Sequence, residues 1–492
     1  SIACDVLSPY FAKKVVDDIL KSGYYSLAYD ATNRGNSKVF PFVVQYFSTK
    51  GVKQGLIEVI EYPGETVDEL FQNACEVLKS NGLSIERLTA LGADNTNVNF
   101  GANHSLYTLF QNVKPSLIKA KRIEALKSYF EFVELDYVVL LQHIKIRWLS
   151  LFNSIERLVK VFPAIGTYFL NLGEDCPTIL NIFFTSDEAI CTLYFLENVL
   201  FEMQRCALQV QHHRMTAVDV HRIITSIVNK LKKRVADKYY GHLARTTLKK
   251  MSKADAEKLD KSFENFINKI LDYIHRYFDA NANLYEKLSI FGNISIDLIS
   301  WNDVEQCVQA IQIENINMDK LYDELYDIQS TYIELKKKSV SVHEQIQSFL
   351  GKDKQKIKND MNQQEIDDDE MTTEEEEIDE PKRIYPDQLW AYLFYVHENQ
   401  TPNLTQLVSF CFSIPISNGY CEGVFNQLKQ TWTNTRHKMS PELISAELKI
   451  RLNSTNITCE QFYNSILSNT ELLKTVRSQQ KYKHKAKKLS ID

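Results

Sequence analysis

The pattern of hydrophobic and polar positions divides the chain into a mixed N-terminal part and a long helical part. In the first 100 residues, short apolar runs rich in β-branched and aromatic residues alternate with polar turns, which predicts strands. Between them, Glu65–Ser80 carries apolar residues at helical spacing and ends at Asn81-Gly82, which predicts a helix. Three strands, a helix and a strand indicate an α/β core. The predicted strands are Tyr24–Asp30, Val39–Phe47, Gly55–Ile60 and Leu88–Ala93.

The periodicity is almost entirely helical from Lys114 to about Leu350. An acidic run then interrupts it: from Glu365 to Glu380, eleven of sixteen residues are Asp or Glu. Such a run predicts a disordered, solvated linker. Helical patterning resumes at Pro386. The predicted helices are Ser154–Leu170, Asp187–Val210, Ala217–Tyr240, Ala254–Phe278, Ile313–Lys338, Pro386–His397, Asn403–Cys411, Gly419–Trp432 and Pro441–Leu452.

Composition limits the class of protein. A chain of 492 residues with 44% hydrophobic residues favours two or three domains with a sizeable core. The sequence lacks a signal peptide and an apolar run of about 18 residues. We therefore expect an intracellular protein that does not associate with a membrane. Nine scattered cysteines without a CxxC pair argue against a disulfide framework or zinc site. Outside the acidic run the chain has 57 basic and 52 acidic residues, which leaves a nucleic-acid partner open.

Three acidic residues stand in distinctive contexts. Asp30 and Asp94 each follow a predicted strand and precede a polar segment, whereas Glu422 lies on a predicted helix. Carboxylates from separate elements that converge can hold two divalent cations in a nuclease or strand-transfer site. Each residue also has an ordinary alternative. An aspartate after a strand is often a turn residue or an N-cap, and a helix glutamate is most often simply exposed.

The contexts of these acids are SLAYDATNRGNSKVFP, TALGADNTNVNFG and SNGYCEGVFNQLKQTWTNTRHKM. Together with HIKIRWLSLFNSIERLVKVFPAI they resemble the hAT transposase superfamily, and especially its domesticated members. The similar windows occur in the family's order over most of the chain. The resemblance implies a ribonuclease-H-like fold in which Asp30, Asp94 and Glu422 are the catalytic and metal-binding residues. It also implies Mg²⁺ as the cofactor, a nuclear location and assembly as a homodimer or higher homo-oligomer.

The same resemblance implies a domain organisation of the α+β, helix-rich class. The first part of a ribonuclease-H-like core covers 1–147, and an all-helical insertion covers 148–350. The acidic linker at 351–383 precedes a helical C-terminal dimerisation region at 384–475, which contains Glu422. Residues 476–492 form a basic tail. The apolar helices between Pro386 and Leu452 suit dimerisation, although packing against the chain's own core is an alternative.

The chain departs from the family pattern in two places. The family's glutamate precedes arginine, but here Gly423 follows Glu422; glycine costs about 1 kcal/mol in a helix interior and removes a cation beside the acid. The family's serine is replaced by Asn426. The family's Cys-x-x-His segment is missing after Asp94, and no fifth strand is evident before His143. We therefore expect an incomplete core, produced by decay of the gene or by a skipped exon.

Two groups of residues are candidates for DNA contact. In hAT transposases, an Arg-Trp like Arg147-Trp148 lies near the active site, where the tryptophan can stack on a flipped base; the alternative is a core tryptophan. The segment Lys230–Lys250 holds eight Lys or Arg residues with two tyrosines, which suits phosphate contact and stacking. A charged helix face is more often solvated. The basic candidates are Lys230, Lys232, Lys233, Arg234 and Lys238.

Three functions fit these observations. The preferred interpretation is a domesticated or decayed hAT-type transposase-like protein that dimerises, contacts double-stranded DNA and has lost catalysis. The first alternative is an active Mg²⁺-dependent transposase that cuts and joins transposon ends. The second is a helical scaffold for protein interactions. The missing segment and Gly423 favour the first interpretation over an active enzyme. The chain begins at Ser1 rather than Met, so we expect a fragment that a zinc finger could precede.

Overall fold

The computed structural model describes residues 1–34, 37–62, 64, 66–93, 96–121, 149–211, 215–351, 384–398, 400–416, 419–432, 439–454 and 459–477. The contacts between residues divide the chain into two compact units. The sheet unit comprises 1–121, 216–218 and 290–492, and the helical unit comprises 122–215 and 219–289. The segment 290–350, which the sequence analysis assigns to the helical insertion, therefore belongs to the sheet unit.

The sheet unit contains a mixed β-sheet. Its strands are β1 (Tyr25–Tyr29), β2 (Thr32–Arg34), β3 (Ser37–Ser48), β4 (Gly51–Tyr62), β5 (Leu88–Ala93) and β6 (Ile118–Lys121). β1 and β2 follow one another along one side of β3, and all pairings among β1, β2, β3 and β4 are antiparallel. β5 pairs in parallel with β1, and β6 pairs in parallel with β5. Across the sheet the order is β4-β3-β1-β5-β6, with β2 beside β3.

Helices make up most of the remaining structure. They are α1 (Ser8–Ser22), α2 (Val67–Ser80), α3 (Asn97–Phe100), α4 (Leu106–Val113), α5 (Leu149–Leu170), α6 (Thr178–Thr185), α7 (Asp187–Gln211), α8 (Ala217–Ala236), α9 (His242–Leu248), α10 (Lys253–Leu288), α11 (Trp301–Ile311), α12 (Met318–Lys337), α13 (Val342–Phe349), α14 (Pro386–Val396), α15 (Pro402–Ser413), α16 (Gly419–Thr431), α17 (Pro441–Asn453), α18 (Cys459–Ser468) and α19 (Thr470–Arg477).

The sheet has a strand that the sequence analysis missed. We expected no fifth strand after Asp94, but β6 pairs with β5 from Ala90↔Ile118 to Ala93↔Lys121. The expectation was wrong because β6 is only four residues long and alternates apolar residues with lysine, which is a weak strand signal. The core sheet therefore has a further strand beside β5, although the Cys-x-x-His segment remains absent from the sequence between Asp94 and His143.

The two faces of the sheet are covered by different parts of the chain. On one face, α1, α2 and α4 pack against buried residues that include Leu27 and Val44. The other face forms a separate apolar cluster in which Ala28 and Val43 join Val424 of α16 and Leu448 of α17. Because apolar burial is the main stabilising term in folding, the N-terminal sheet depends on helices from the C-terminal end of the chain.

Side chains from the C-terminal part also cover the outer edge of β4. The Val52 N–H donates to Asp387 Oδ2 (2.9 Å), and the Leu56 N–H donates to Asn453 Oδ1 (2.8 Å). Asn453 Nδ2 in turn donates to the Leu56 carbonyl (2.8 Å). These bonds satisfy backbone groups that a neighbouring strand would otherwise pair, and an unpaired edge is prone to association with other chains.

A buried carboxylate fixes the start of α15. Glu324 of α12 accepts hydrogen bonds from Asn403 Nδ2 (2.6 Å) and from the Leu404 N–H (2.7 Å). A negative charge is favourable at a helix N-terminus, where the first backbone N–H groups lack partners within the helix. This contact ties the helices that precede the acidic linker to those that follow it.

The helical unit has an aromatic centre. The rings of Phe195 and Phe263 stack with centroids 4.0 Å apart, and Tyr240 meets both rings edge-on.

Among the described residues, no single helix has the length and apolar character needed to cross a membrane. One pair, Thr178–Thr185 with Asp187–Val210, reaches that length and composition together but bends by 71°.

The edge contacts of β4 generate a stability prediction. Replacing Asn453→Ala removes both bonds to Leu56 and leaves its backbone groups without these partners, so we expect the free energy of unfolding to fall by about 1–3 kcal/mol. Chemical denaturation of the full chain measures this change. The matched control is Asn464→Ala on the exposed face of α18, which should change stability by less than about 0.5 kcal/mol. Equal effects of the two substitutions would contradict the edge assignment.

Candidate functional site

Asp30 lies at the end of the central strand of the sheet. β1 ends at Tyr29, and the Asp30 Oδ1 atom accepts a hydrogen bond from the Ala31 N–H (2.8 Å). The parallel neighbour β5 ends at Ala93, and Ala28 lies opposite Gly92 in the register. The two strands that precede Asp30 and Asp94 therefore end side by side. Asp94 itself is outside the described residues.

The helix that carries Glu422 packs onto the same part of the sheet. On α16 the neighbouring residues Cys421 and Val424 are almost completely buried and belong to one apolar cluster with Ala28. Ala28 precedes Asp30 by two positions. The buried face of α16 thus packs against β1, the strand that ends just before Asp30. The side chain of Glu422 is outside the described residues.

A close approach at Gly92 brings the C-terminal segment over the strand ends. A Cβ atom at Gly92 would lie 3.3 Å from Ala28 Cβ and 3.6 Å from Pro415 Cγ. Glycine at this position of β5 therefore permits a tight contact between β1, β5 and the segment that leads into α16. No local sequence pattern identifies Gly92 or Pro415, because the contact joins residues that are far apart in the chain.

Of the three predicted acids, Asp30 is the one whose side chain lies within the described residues at this end of the sheet. Within the described residues, no group of three His, Cys, Asp or Glu side chains is placed to hold a metal ion. That observation does not bear on the three predicted acids, since it covers neither Asp94 nor the Glu422 side chain. What the structure brings together is the end of β1, the end of β5 and the buried face of α16.

Gly423 lies on the exposed side of α16. A Cβ atom added there would meet no other atom within 4 Å. The local packing at this position therefore does not require glycine. Replacement of the family's arginine by glycine removes a cation without any steric requirement of the fold.

The basic candidates on α8 are held by acidic neighbours within the helical unit. Lys230 Nζ lies 3.1 Å from Glu202 Oε2, and an Arg234 guanidinium nitrogen lies 3.5 Å from Glu202 Oε1. Arg234 also donates to Asn198 Oδ1 (3.1 Å). Glu202 is on α7, and its side chain is only 14% exposed. The Arg234 side chain, which is 16% exposed, is therefore directed into the unit, whereas Lys230 is 38% exposed and pairs with Glu202 while remaining in contact with solvent.

The other basic candidates differ in their surroundings. Lys238 Nζ lies 2.5 Å from Asp260 Oδ2, and this hydrogen bond raises the pKa of Lys238. Lys233 Nζ lies 3.5 Å from Oδ2 of Asp237, four residues further along the chain. The Lys232 side chain is exposed. The predictions for Arg147 and Trp148 fall outside the described residues. Lys232 and Lys233 are thus the α8 candidates whose side chains are most available to a partner.

The surroundings of Gly423 generate a second stability prediction. Its backbone has no left-handed conformation, so Gly423→Ala should raise the free energy of unfolding by about 0.5–1 kcal/mol, the usual helix preference of alanine over glycine. A thermal or chemical unfolding curve of the full chain measures the change. Gly241, where φ is +110° and Asn198 Cβ would lie 3.0 Å away, is the control position. There the same substitution should destabilise, and equal signs at the two positions would contradict the local structures.

A family comparison covers the C-terminal part of the chain. Residues 368–454 match the model of the hAT family C-terminal dimerisation region, and this range includes α14, α15, α16 and α17. A search of curated proteins gives no match to the chain. The match agrees with the resemblance in the sequence and includes the helix that carries Glu422. The described C-terminal helices α14 to α17 therefore lie in a region similar to the hAT family C-terminal dimerisation region.

Proposed function

We propose that this chain is a hAT transposase-derived protein that acts as a self-associating, nuclear, DNA-contacting protein and has lost DNA cleavage. The observation that carries the proposal is the match of 368–454 to the hAT dimerisation region. Self-association follows from the described role of that region. The exposed apolar side chains on its helices, such as Tyr395 on α14, supply surface for it.

A ribonuclease-H-like core is part of the proposal. Two features of the sheet support it: the antiparallel set β4-β3-β1 is extended by the parallel strands β5 and β6, and the connection from β4 to β5 contains α2. The hAT resemblance implies the same arrangement. In such a core, the acids at the ends of adjacent strands would form the catalytic site.

Asp30, Asp94 and Glu422 are the proposed metal-binding positions of the ancestral enzyme. Three carboxylates supply hard oxygen ligands, which suit Mg²⁺. When bound at such a site, Mg²⁺ supplies Lewis-acid chemistry for phosphoryl transfer. The chain's own contribution would be to hold Asp30 at the end of β1 and to fix α16 against Ala28, so that the acids face one substrate position.

The proposed loss of cleavage rests on Gly423. An arginine beside the glutamate would place a positive charge next to the carboxylates and a phosphate-bearing substrate, and glycine removes that charge. The missing Cys-x-x-His segment also supports loss, whereas the presence of β6 removes the argument from an absent fifth strand. The side-by-side ends of β1 and β5 favour the second candidate function, an active Mg²⁺-dependent transposase.

For DNA contact, Lys232 and Lys233 are the proposed residues on α8.

Self-association can be tested in solution. We expect light scattering after size exclusion to give a dimer or a higher oligomer for the full chain. Tyr395→Glu should weaken the assembly by at least about fivefold, since it buries a charge in an apolar contact. Tyr168→Glu is the matched control, because Tyr168 is 62% exposed against 64% for Tyr395 but lies in the helical unit. A monomeric chain at tens of micromolar would contradict the proposal.

Loss of cleavage can be tested on supercoiled plasmid DNA with Mg²⁺. We expect no nicking by the full chain, and restored nicking by Gly423→Arg if the missing cation is the cause. Adding Asp30→Asn to that variant should abolish the restored activity. Nicking by the unmodified chain that Asp30→Asn abolishes would instead establish the active enzyme. Nicking that survives Asp30→Asn would identify a contaminating nuclease.

A further inference from the structure

A groove runs along the outer edge of β4, away from the proposed acidic site. Its volume is about 920 Å³. Five successive residues of β4, Ile57–Glu61, line its floor. One wall is the face of α1 that carries Pro9 and Lys13, and the opposite wall is the face of α17 that carries Glu442 and Ala446. Within the described residues, β4 pairs only with β3, so the groove exposes the edge of the sheet.

The groove begins where the covering of the edge ends. Asp387 and Asn453 supply hydrogen bonds to β4 at Val52 and Leu56. Beyond Leu56 the acceptor comes from β4 itself. The Oε1 atom of Glu58 accepts a hydrogen bond from the N–H of the next residue, Val59 (3.0 Å). This carboxylate occupies the position of the acceptor that an added strand would provide.

The same carboxylate is held in a polar cluster on the α17 side. Glu58 Oε1 lies 2.6 Å from Lys449 Nζ and accepts a hydrogen bond from Ser445 Oγ (3.1 Å). The Lys449 side chain is only 12% exposed. Lys449 and Ser445 can retain Glu58 after it releases Val59, because their bonds do not depend on the backbone contact. The edge at Val59 can therefore open without leaving a buried charge unpaired.

We propose that this groove receives an extended, basic peptide segment of a partner protein, which pairs with β4 as an additional strand. Five residues of β4 span about 16 Å at the usual rise per residue, which matches a strand of common length. Addition of a strand to a sheet edge is a recurring mode of peptide recognition. The charged residues that line the groove are three glutamates and two lysines, Glu58, Glu61, Glu442, Lys13 and Lys449, so the excess is negative.

This inference is independent of the proposed acidic site and of DNA contact, although one wall of the groove, α17, belongs to the region matched by the dimerisation model. A fluorescent seven-residue peptide of alternating lysine and valine is the probe, and anisotropy with the full chain is the measurement. Two further peptides carry N-methyl groups at odd or at even positions. We expect one of them to lose binding at least tenfold and the other to retain it, because an added strand presents alternate N–H groups to β4.

Charge variants test the location of the site. Glu61→Lys should weaken binding of the peptide about threefold to tenfold, whereas Glu76→Lys on the exposed face of α2 should leave it unchanged. Absence of binding, equal loss with both methylated peptides, or equal affinity for an alternating glutamate–valine peptide would overturn the proposal. A peptide-induced change in oligomeric state would also overturn it, since the groove would then serve a second copy of the chain.

Discussion

The packing of the C-terminal helices onto the N-terminal sheet is the interaction on which the sheet unit depends. One face of the sheet is closed by α1, α2 and α4, which are near in sequence, but the other is closed by α16 and α17. Buried polar contacts reinforce this packing: Gln45 Nε2 donates to the Phe412 carbonyl (3.1 Å), and the Thr89 and Ser413 hydroxyls lie 2.8 Å apart. Because buried polar groups are costly without partners, these contacts also select one alignment of helix and strand.

The packing of the C-terminal helices on the sheet also determines where the proposed acidic residues lie. Asp30 is positioned by β1 and its neighbours, whereas Glu422 is positioned by the buried face of α16. The apolar cluster that contains Ala28 and Val424 joins these two elements. The region that matches the hAT dimerisation model therefore covers the sheet, in addition to the role in self-association that we propose for it. A change that loosened α16 or α17 would disturb the sheet, the acidic positions and the edge of β4 together.

Sequence patterns predicted the elements whose local signals are strong. The bounds of β5 were predicted at Leu88–Ala93, since this buried strand is a mostly apolar run that ends at a polar segment. The start of α2 is fixed by a capping box in which Thr66 and Glu69 exchange hydrogen bonds. β6 was missed because it is short and half polar. Helix α1 was also not predicted, although Pro9 near its start and Gly23 at its end are typical boundary residues.

The candidate site was less accessible to prediction, for a physical reason. An aspartate after a strand is visible in the sequence, but the partner that accompanies it in space is not. The acidic partners of the basic candidates show this: Glu202 of α7 pairs with Lys230 of α8, and Asp260 of α10 pairs with Lys238, which follows α8, and no local pattern joins these partners. The packing of α16 near Asp30 was likewise expected only through the family resemblance, because the two segments are separated by most of the chain.

The most direct test of this account is native-state hydrogen exchange of the full chain and of Leu448→Ala, a fully buried residue of α17. The substitution should cost about 2–5 kcal/mol by leaving a cavity. If the two ends of the chain form one cooperative unit, exchange should accelerate together in α17, β3 and β4, while α7 and α10 of the helical unit stay protected. Acceleration confined to α17, with β3 and β4 unchanged, would contradict the central claim that the C-terminal helices hold the sheet together.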